Sequence, residues 1–106
     1  MAGTFVGTMN YMSPERMEGE KYNFEGDIWS LGICIIELAT GFYPYKDTKG
    51  FLEMLEQVKE EPSPTLPSSV FSDELCDFVD KCLQKDASMR TSAISLMAHP
   101  LILKYT

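Results

Sequence analysis

The sequence contains no glycine-rich phosphate loop of either the G-x-G-x-x-G or the Walker pattern, so no segment reads as a cradle for a nucleotide phosphate. Basic residues are scarce: 9 Lys and Arg face 16 Asp and Glu, for a formal net charge of -7. That balance argues against broad nucleic-acid binding and against adhesion to anionic membranes, both of which require a basic face. Histidine occurs once, as His99 before Pro100. A lone histidine at a helix end reads as structural, because catalytic dyads and metal sites need partners. The three cysteines, Cys34, Cys76 and Cys82, are odd in number and lack zinc-type spacing. Two of them fall on apolar positions of predicted helices, which points to reduced thiols rather than ligands or disulfides and makes a cytosolic or nuclear location the default. No apolar run is long enough to span a bilayer, since the best one, 33–39, is interrupted by Glu37. Met1 leads into Ala-Gly-Thr rather than a basic stretch and an apolar core, so no signal peptide is suggested.

What is present is helical. The chain has 106 residues with 44% hydrophobic content, suited to one domain or part of a larger one. Residues 1–25 show no sustained period and read as loop, with one short helix after Pro14. Segment 27–40, DIWSLGICIIELAT, carries apolar side chains all round the helical wheel and predicts a helix buried on every side. A buried strand is the alternative, but fourteen residues is long for one and Gly41 offers a helix stop. A second helix is predicted over 47–61, bearing Phe51, Leu52, Leu55 and Val58 on one face and ended by Pro62. Residues 61–69 hold three of the six prolines and read as an extended connection. Ser72 caps a predicted helix over 72–85, and Thr91 or Ser92 a short one over 91–99, stopped near His99-Pro100. No strand is predicted, and the fold class is mainly α.

Three charged residues stand out from the many solvated acids. Asp27 opens an otherwise apolar helix, so its carboxylate is expected to leave bulk water and to need donors. Glu15 follows Pro14, and Arg90 lies in a loop before the last predicted helix. A planar guanidinium brought against that carboxylate would grip it with two hydrogen bonds.

The order of motifs resembles the helical C-terminal lobe of a protein kinase, the lower part of an α+β, two-lobed domain. Thr4-Phe5-Val6-Gly7-Thr8 and Tyr11-Met12-Ser13-Pro14-Glu15 are similar to the end of an activation segment, with Ser13-Pro14-Glu15 in the place of A-P-E. Asp27-Ile28-Trp29-Ser30-Leu31-Gly32 resembles the D-x-W-S-x-G start of the F helix, Gly41-x-x-Pro44-Tyr45 the turn after it, and Arg90 with His99-Pro100 the end of the domain. The G, H and I helices would then be 47–61, 72–85 and 91–99, and the whole of 1–106 a partial kinase domain. Val58-Lys59-Glu60-Glu61-Pro62-Ser63-Pro64, with Leu66-Pro67 and Phe71-Ser72, is similar to the MAP kinase kinases, the dual-specificity Ser/Thr/Tyr kinases.

The resemblance implies roles. Thr4 would be an activation phosphosite, Thr8 a contact of the catalytic aspartate and lysine, and Gly7, Thr8, Tyr11 and Met12 part of the loop receiving the substrate residue after the phosphoacceptor. Glu15 and Arg90 would tie the activation segment to the lobe, Asp27 would hold the backbone of the catalytic loop, and Trp29 would anchor the F helix. The complete enzyme would use ATP and Mg²⁺, take a MAP kinase as protein substrate and answer to an upstream activating kinase, without nucleic acid or membrane. The strand lysine, H-R-D-L-x-x-x-N and D-F-G do not occur in these 106 residues. The chain alone is therefore expected to be an inactive piece of an enzyme. Two other readings remain at this point: a pseudokinase or scaffold lobe that only docks partners, and a free-standing helical interaction domain.

Overall fold

The structure, a computed structural model, describes residues 10–21, 23–46 and 50–105. Among the described residues it is built of helices and loops with no strand. Helix α1, Pro14–Met17, starts where Ser13 is extended and accepts the Arg16 N–H at 3.4 Å, with Pro14 at the first helical position. Helix α2, Phe24–Thr40, is the central element. It begins three residues before the expected 27, because the Asn23 side chain accepts the Gly26 N–H at 2.7 Å and makes the stronger cap. It ends as expected at Gly41, whose φ of 84° carries the chain into a left-handed turn.

Helix α3, Phe51–Glu60, gives way to extended backbone at Glu61, before Pro62; the expected start of this helix falls on residues 47–49, outside the described set. Helix α4, Asp73–Cys82, is capped by Ser72, which accepts the Leu75 N–H at 3.2 Å. It stops short of the expected 85: the Lys81 carbonyl, which a continuing helix would offer to the Lys85 N–H, accepts the Thr91 N–H at 3.3 Å instead. After a 3₁₀ turn at Ala87–Met89, helix α5 spans Ala93–Met97, inside the expected 91–99.

Helix α6, Pro100–Lys104, was not expected. His99-Pro100 reads as a stop, yet a proline suits the first position of a new helix as well as it ends an old one. The His99 imidazole is buried and accepts the Leu101 N–H on Nδ1 at 3.0 Å, so the ring proton lies on Nε2, which meets Asp77 Oδ2 at 2.7 Å. Its role here is that of a cap and a strut between α4 and α6.

The core gathers Trp29, Ile33 and Ile36 of α2, Met54 and Val58 of α3, Phe78, Val79 and Cys82 of α4, and Leu83 and Leu96. Gly32 lets α4 press close: a Cβ there would lie 2.7 Å from Leu83 Cδ2 and 2.8 Å from Cys82 Cβ. Of the thiols, Cys82 is buried and Cys34 and Cys76 are half-buried; burial pushes the Cys82 thiol up to about 11. The expectation that α2 is covered on every side does not hold, because Phe24, Leu31 and Leu38 are exposed. No helix among the described residues is long and apolar enough to cross a membrane.

Candidate functional site

The site lies where the loop entering α1 meets α2 and the turn that follows α2. Three hydrogen bonds fix that loop to its support. Ser30 Oγ donates to the Tyr11 carbonyl at 2.6 Å, Tyr43 Oη donates to the Asn10 carbonyl at 2.5 Å, and Tyr11 Oη donates to Glu37 Oε1. The Tyr11 and Tyr43 rings meet edge to face with centroids 6.0 Å apart, an arrangement that adds to their burial. The hydrogen bond to the Glu37 carboxylate, helped by partial burial and the negative charge, holds the Tyr11 phenol above its ordinary range. Tyr43 is also raised, chiefly by burial. Both therefore remain neutral donors at physiological pH.

One turn further on, Arg90 grips Glu15 from the opposite end of the chain. Nη1 lies 2.8 Å from Oε2 and Nη2 3.0 Å from Oε1, a two-pronged pair with both residues buried. Nε reaches the Gln84 carbonyl at 2.8 Å, Nη1 the Glu25 carbonyl at 2.6 Å and Nη2 the Lys85 carbonyl at 3.2 Å. All five guanidinium N–H groups thus have acceptors. The cation also lies 5.3 Å from the centre of the Trp29 ring, within cation–π range. Burial alone would raise the Glu15 carboxyl; the hydrogen bonds from Arg90, with a backbone hydrogen bond and the arginine's charge, outweigh it and hold the group below the ordinary carboxylate range.

Between these two clamps is a cleft of about 330 Å³ whose lining includes Tyr11, Met12, Arg16, Asp27 and Ser30. The sequence-singled residues Tyr11, Met12 and Asp27 are thereby brought to one place, with Trp29 buried beneath. Asp27 itself departs from expectation. It is exposed, and it sits one turn into α2 rather than opening it, because Asn23 takes the capping position. Thr4, Gly7 and Thr8 lie outside the described residues. Three contributors were missed from the sequence: Ser30, Glu37 and Tyr43. Glu37 carried a readable signal, as a single acid in an apolar run, the same signal that drew attention to Asp27. Tyr43 carried none, since a tyrosine in a turn is unremarkable until its hydroxyl is seen to bridge 33 residues of chain. Among the described residues no group of His, Cys, Asp and Glu is placed to hold a metal ion.

Comparison with known proteins gives a concordant result. The model of the protein kinase domain family matches residues 2–102. The chain is 47% identical over 105 residues to "Mitogen-activated protein kinase kinase 3" of Arabidopsis thaliana, covering 99% of this chain and 20% of that protein. It is 49% identical over 111 residues to "Mitogen-activated protein kinase kinase 2" of the same plant, with 99% and 31% covered. It is 37% identical over 129 residues to "Dual specificity mitogen-activated protein kinase kinase dSOR1" of Drosophila melanogaster, with 98% and 33% covered. The chain therefore spans between a fifth and a third of the length of these curated relatives.

Proposed function

The chain belongs to the protein kinase domain family, and from that premise we propose that it forms the helical lower lobe of a MAP kinase kinase-type enzyme. In the complete protein, that enzyme transfers the γ-phosphate of ATP to Ser/Thr and Tyr of a MAP kinase after an upstream kinase has modified Thr4. The observation that carries this reading is the doubly clamped loop. Ser30, Glu37 and Tyr43 hold Asn10 and Tyr11 on one side of Met12, and Arg90 holds Glu15 on the other. Phosphoryl transfer relies on positioning and electrostatics rather than on covalent chemistry by the protein. A loop that must seat one residue of a protein substrate within a fraction of an ångström gains from such anchorage.

The residues present do not supply a holder for ATP or Mg²⁺. The lysine, aspartates and asparagine that do so in this family's motifs are not in the 106 residues, so no chemical step is assigned to this chain. Its own contribution is the substrate-side floor, with Asp27 turned to a cleft that backbone N–H groups of a catalytic loop would fill.

Two experiments test the reading. Calorimetry of the 106-residue chain with Mg-ATP should show no saturable binding, and the chain should transfer no phosphate; turnover by the chain alone would overturn the assignment. The full-length protein, activated by its upstream kinase, should place phosphate on both a threonine and a tyrosine of a MAP kinase, located by mass spectrometry. Binding of the MAP kinase without transfer would favour a scaffold instead. Thr4→Ala should lower the activated rate of the full-length enzyme without altering its melting temperature, since a phosphate there adds close to two charges and three acceptor oxygens. Full activation of that variant would remove Thr4 from the scheme.

A further inference from the structure

The sequence holds two Ser-Pro dipeptides, Ser13-Pro14 and Ser63-Pro64, and the fold treats them oppositely. Ser13 is 1% exposed, and its hydroxyl oxygen caps α1. A kinase could reach it only by dismantling the Glu15–Arg90 clamp. Ser63 is half-exposed in 62–67, a stretch without regular structure. Among the described residues no hydrogen bond engages the Ser63 backbone N–H or hydroxyl. The stretch begins as α3 ends, where Glu61 is already extended, and it holds to the core through the buried Leu66. Pro64 has no N–H to satisfy, so it suits a kinase whose site takes proline after the acceptor.

We propose that Ser63 is a phosphoacceptor for a proline-directed Ser/Thr kinase and that Lys85 receives the phosphate. Ser63 Oγ attacks the γ-phosphorus of ATP held by that kinase. The Oγ–P bond forms as the bond to the β–γ bridging oxygen breaks, ADP departs, and the hydroxyl proton passes to the modifying kinase's base.

Ser63 shares a cleft of about 480 Å³ with Lys85, the only cation among the described residues that line it. Asp80 and Asp86 line it too, and Asp86 keeps its charge while accepting the Ser88 N–H and hydroxyl at 2.9 and 2.7 Å, so Lys85 is the group in the groove that can offset a phosphate. Lys85 Nζ at present donates to the Lys59 carbonyl at 2.7 Å, capping the C-terminal end of α3, where a cation is favoured. A phosphate with close to two negative charges and three acceptor oxygens is the stronger partner. Lys85 turns to it and leaves the last turn of α3 uncapped. The modification thereby loosens α3 without touching the Glu15–Arg90 pair.

The test uses the 106-residue chain with a purified proline-directed kinase and Mg-ATP, sites being located by mass spectrometry. Phosphate is expected on Ser63 and not on Ser13, and Ser63→Ala should abolish incorporation. Hydrogen exchange then reads the consequence. Amides of residues 59–61 should exchange roughly tenfold faster after phosphorylation, the scale of one lost charge-assisted hydrogen bond. Lys85→Ala should show that faster exchange before phosphorylation and gain nothing from it. Absence of phosphate on Ser63, when a peptide of residues 58–69 is modified, overturns the site. Phosphate on Ser63 with equal effects on the parent chain and on Lys85→Ala overturns the role of Lys85.

Discussion

The Glu15–Arg90 pair ties together residues 75 positions apart, so its loss should be felt throughout the chain. Arg90→Ala leaves Glu15 buried without its counter-charge and also strands three backbone carbonyls. The expected cost is about 3–5 kcal/mol, the usual penalty for halving a buried ion pair, measured by urea denaturation. The pH dependence follows from the lowered Glu15 carboxyl. Its contribution is fully present above the unfolded-state pKa and is lost as pH falls through the folded-state value. Denaturation midpoints of the parent chain should therefore drop on acidification more steeply than those of Glu15→Gln, whose residue 15 cannot titrate. Parallel curves would assign the acid sensitivity elsewhere. Tyr45 makes the opposite case. It is buried, and its hydroxyl has no hydrogen-bond partner among the described residues; burial raises its phenol well above the ordinary value. An unpaired buried hydroxyl costs free energy that an apolar isostere does not. Tyr45→Phe should accordingly be neutral or stabilise by about 1 kcal/mol, and a clear loss of stability would reveal a partner for that hydroxyl.

Among the elements, the tightest approach is α2 against the end of α4 at Gly32. Alanine normally improves a helix interior by about 1 kcal/mol, but here its Cβ would stand 2.7 to 2.9 Å from Leu83 and Cys82. Overpacking of that kind costs about 1–3 kcal/mol, so Gly32→Ala should be a net loss in thermal unfolding. In a Leu83→Ala background the added loss should shrink, though not vanish, because the Cys82 Cβ remains; strict additivity would place the strain elsewhere. The sequence shows why such contacts are hard to read. The existence of α2, α3 and α4 is written in apolar spacing, and the Gly41 and Pro62 stops are local chemistry. The boundaries that slipped were decided by single hydrogen bonds that apolar spacing does not encode. Asn23, by accepting the Gly26 N–H, moved the start of α2, and Thr91, by taking the Lys81 carbonyl, cut α4 short. The Glu15–Arg90 contact was legible because two charges without local partners, in an order resembling a known family, demand one another. The Tyr11–Glu37–Tyr43 linkage was not, since nothing local to Asn10 or Tyr43 names its partner.

For the whole molecule the decisive feature is the uncovered side of α2. Phe24, Leu31 and Leu38 recur at seven-residue spacing, Phe42 follows beyond the helix, and Leu38 is 86% exposed. A seven-residue apolar repeat is the pattern by which helices pair, and nearby Ile28, Phe78, Leu96, Met97 and Ile102 line an almost purely apolar cleft of about 270 Å³. Together they exceed scattered surface hydrophobes and form a liability for a chain alone in water. Opposing association is the net charge of -7, whose repulsion salt screens over a Debye length of about 8 Å at physiological ionic strength. The two effects make a directional prediction. In sedimentation velocity the 106-residue chain should associate increasingly with concentration, and more strongly at high salt than at low salt. Leu38→Glu should restore the monomer across that range, because it puts a charge in the middle of the stripe at a position that contributes nothing to the core. It should leave the helical circular dichroism signal unchanged. If salt instead dissolved the associated species, charge pairing rather than the apolar side of α2 would be holding the copies together. A parent chain that stayed monomeric at every concentration and salt would show that the stripe is tolerated in water.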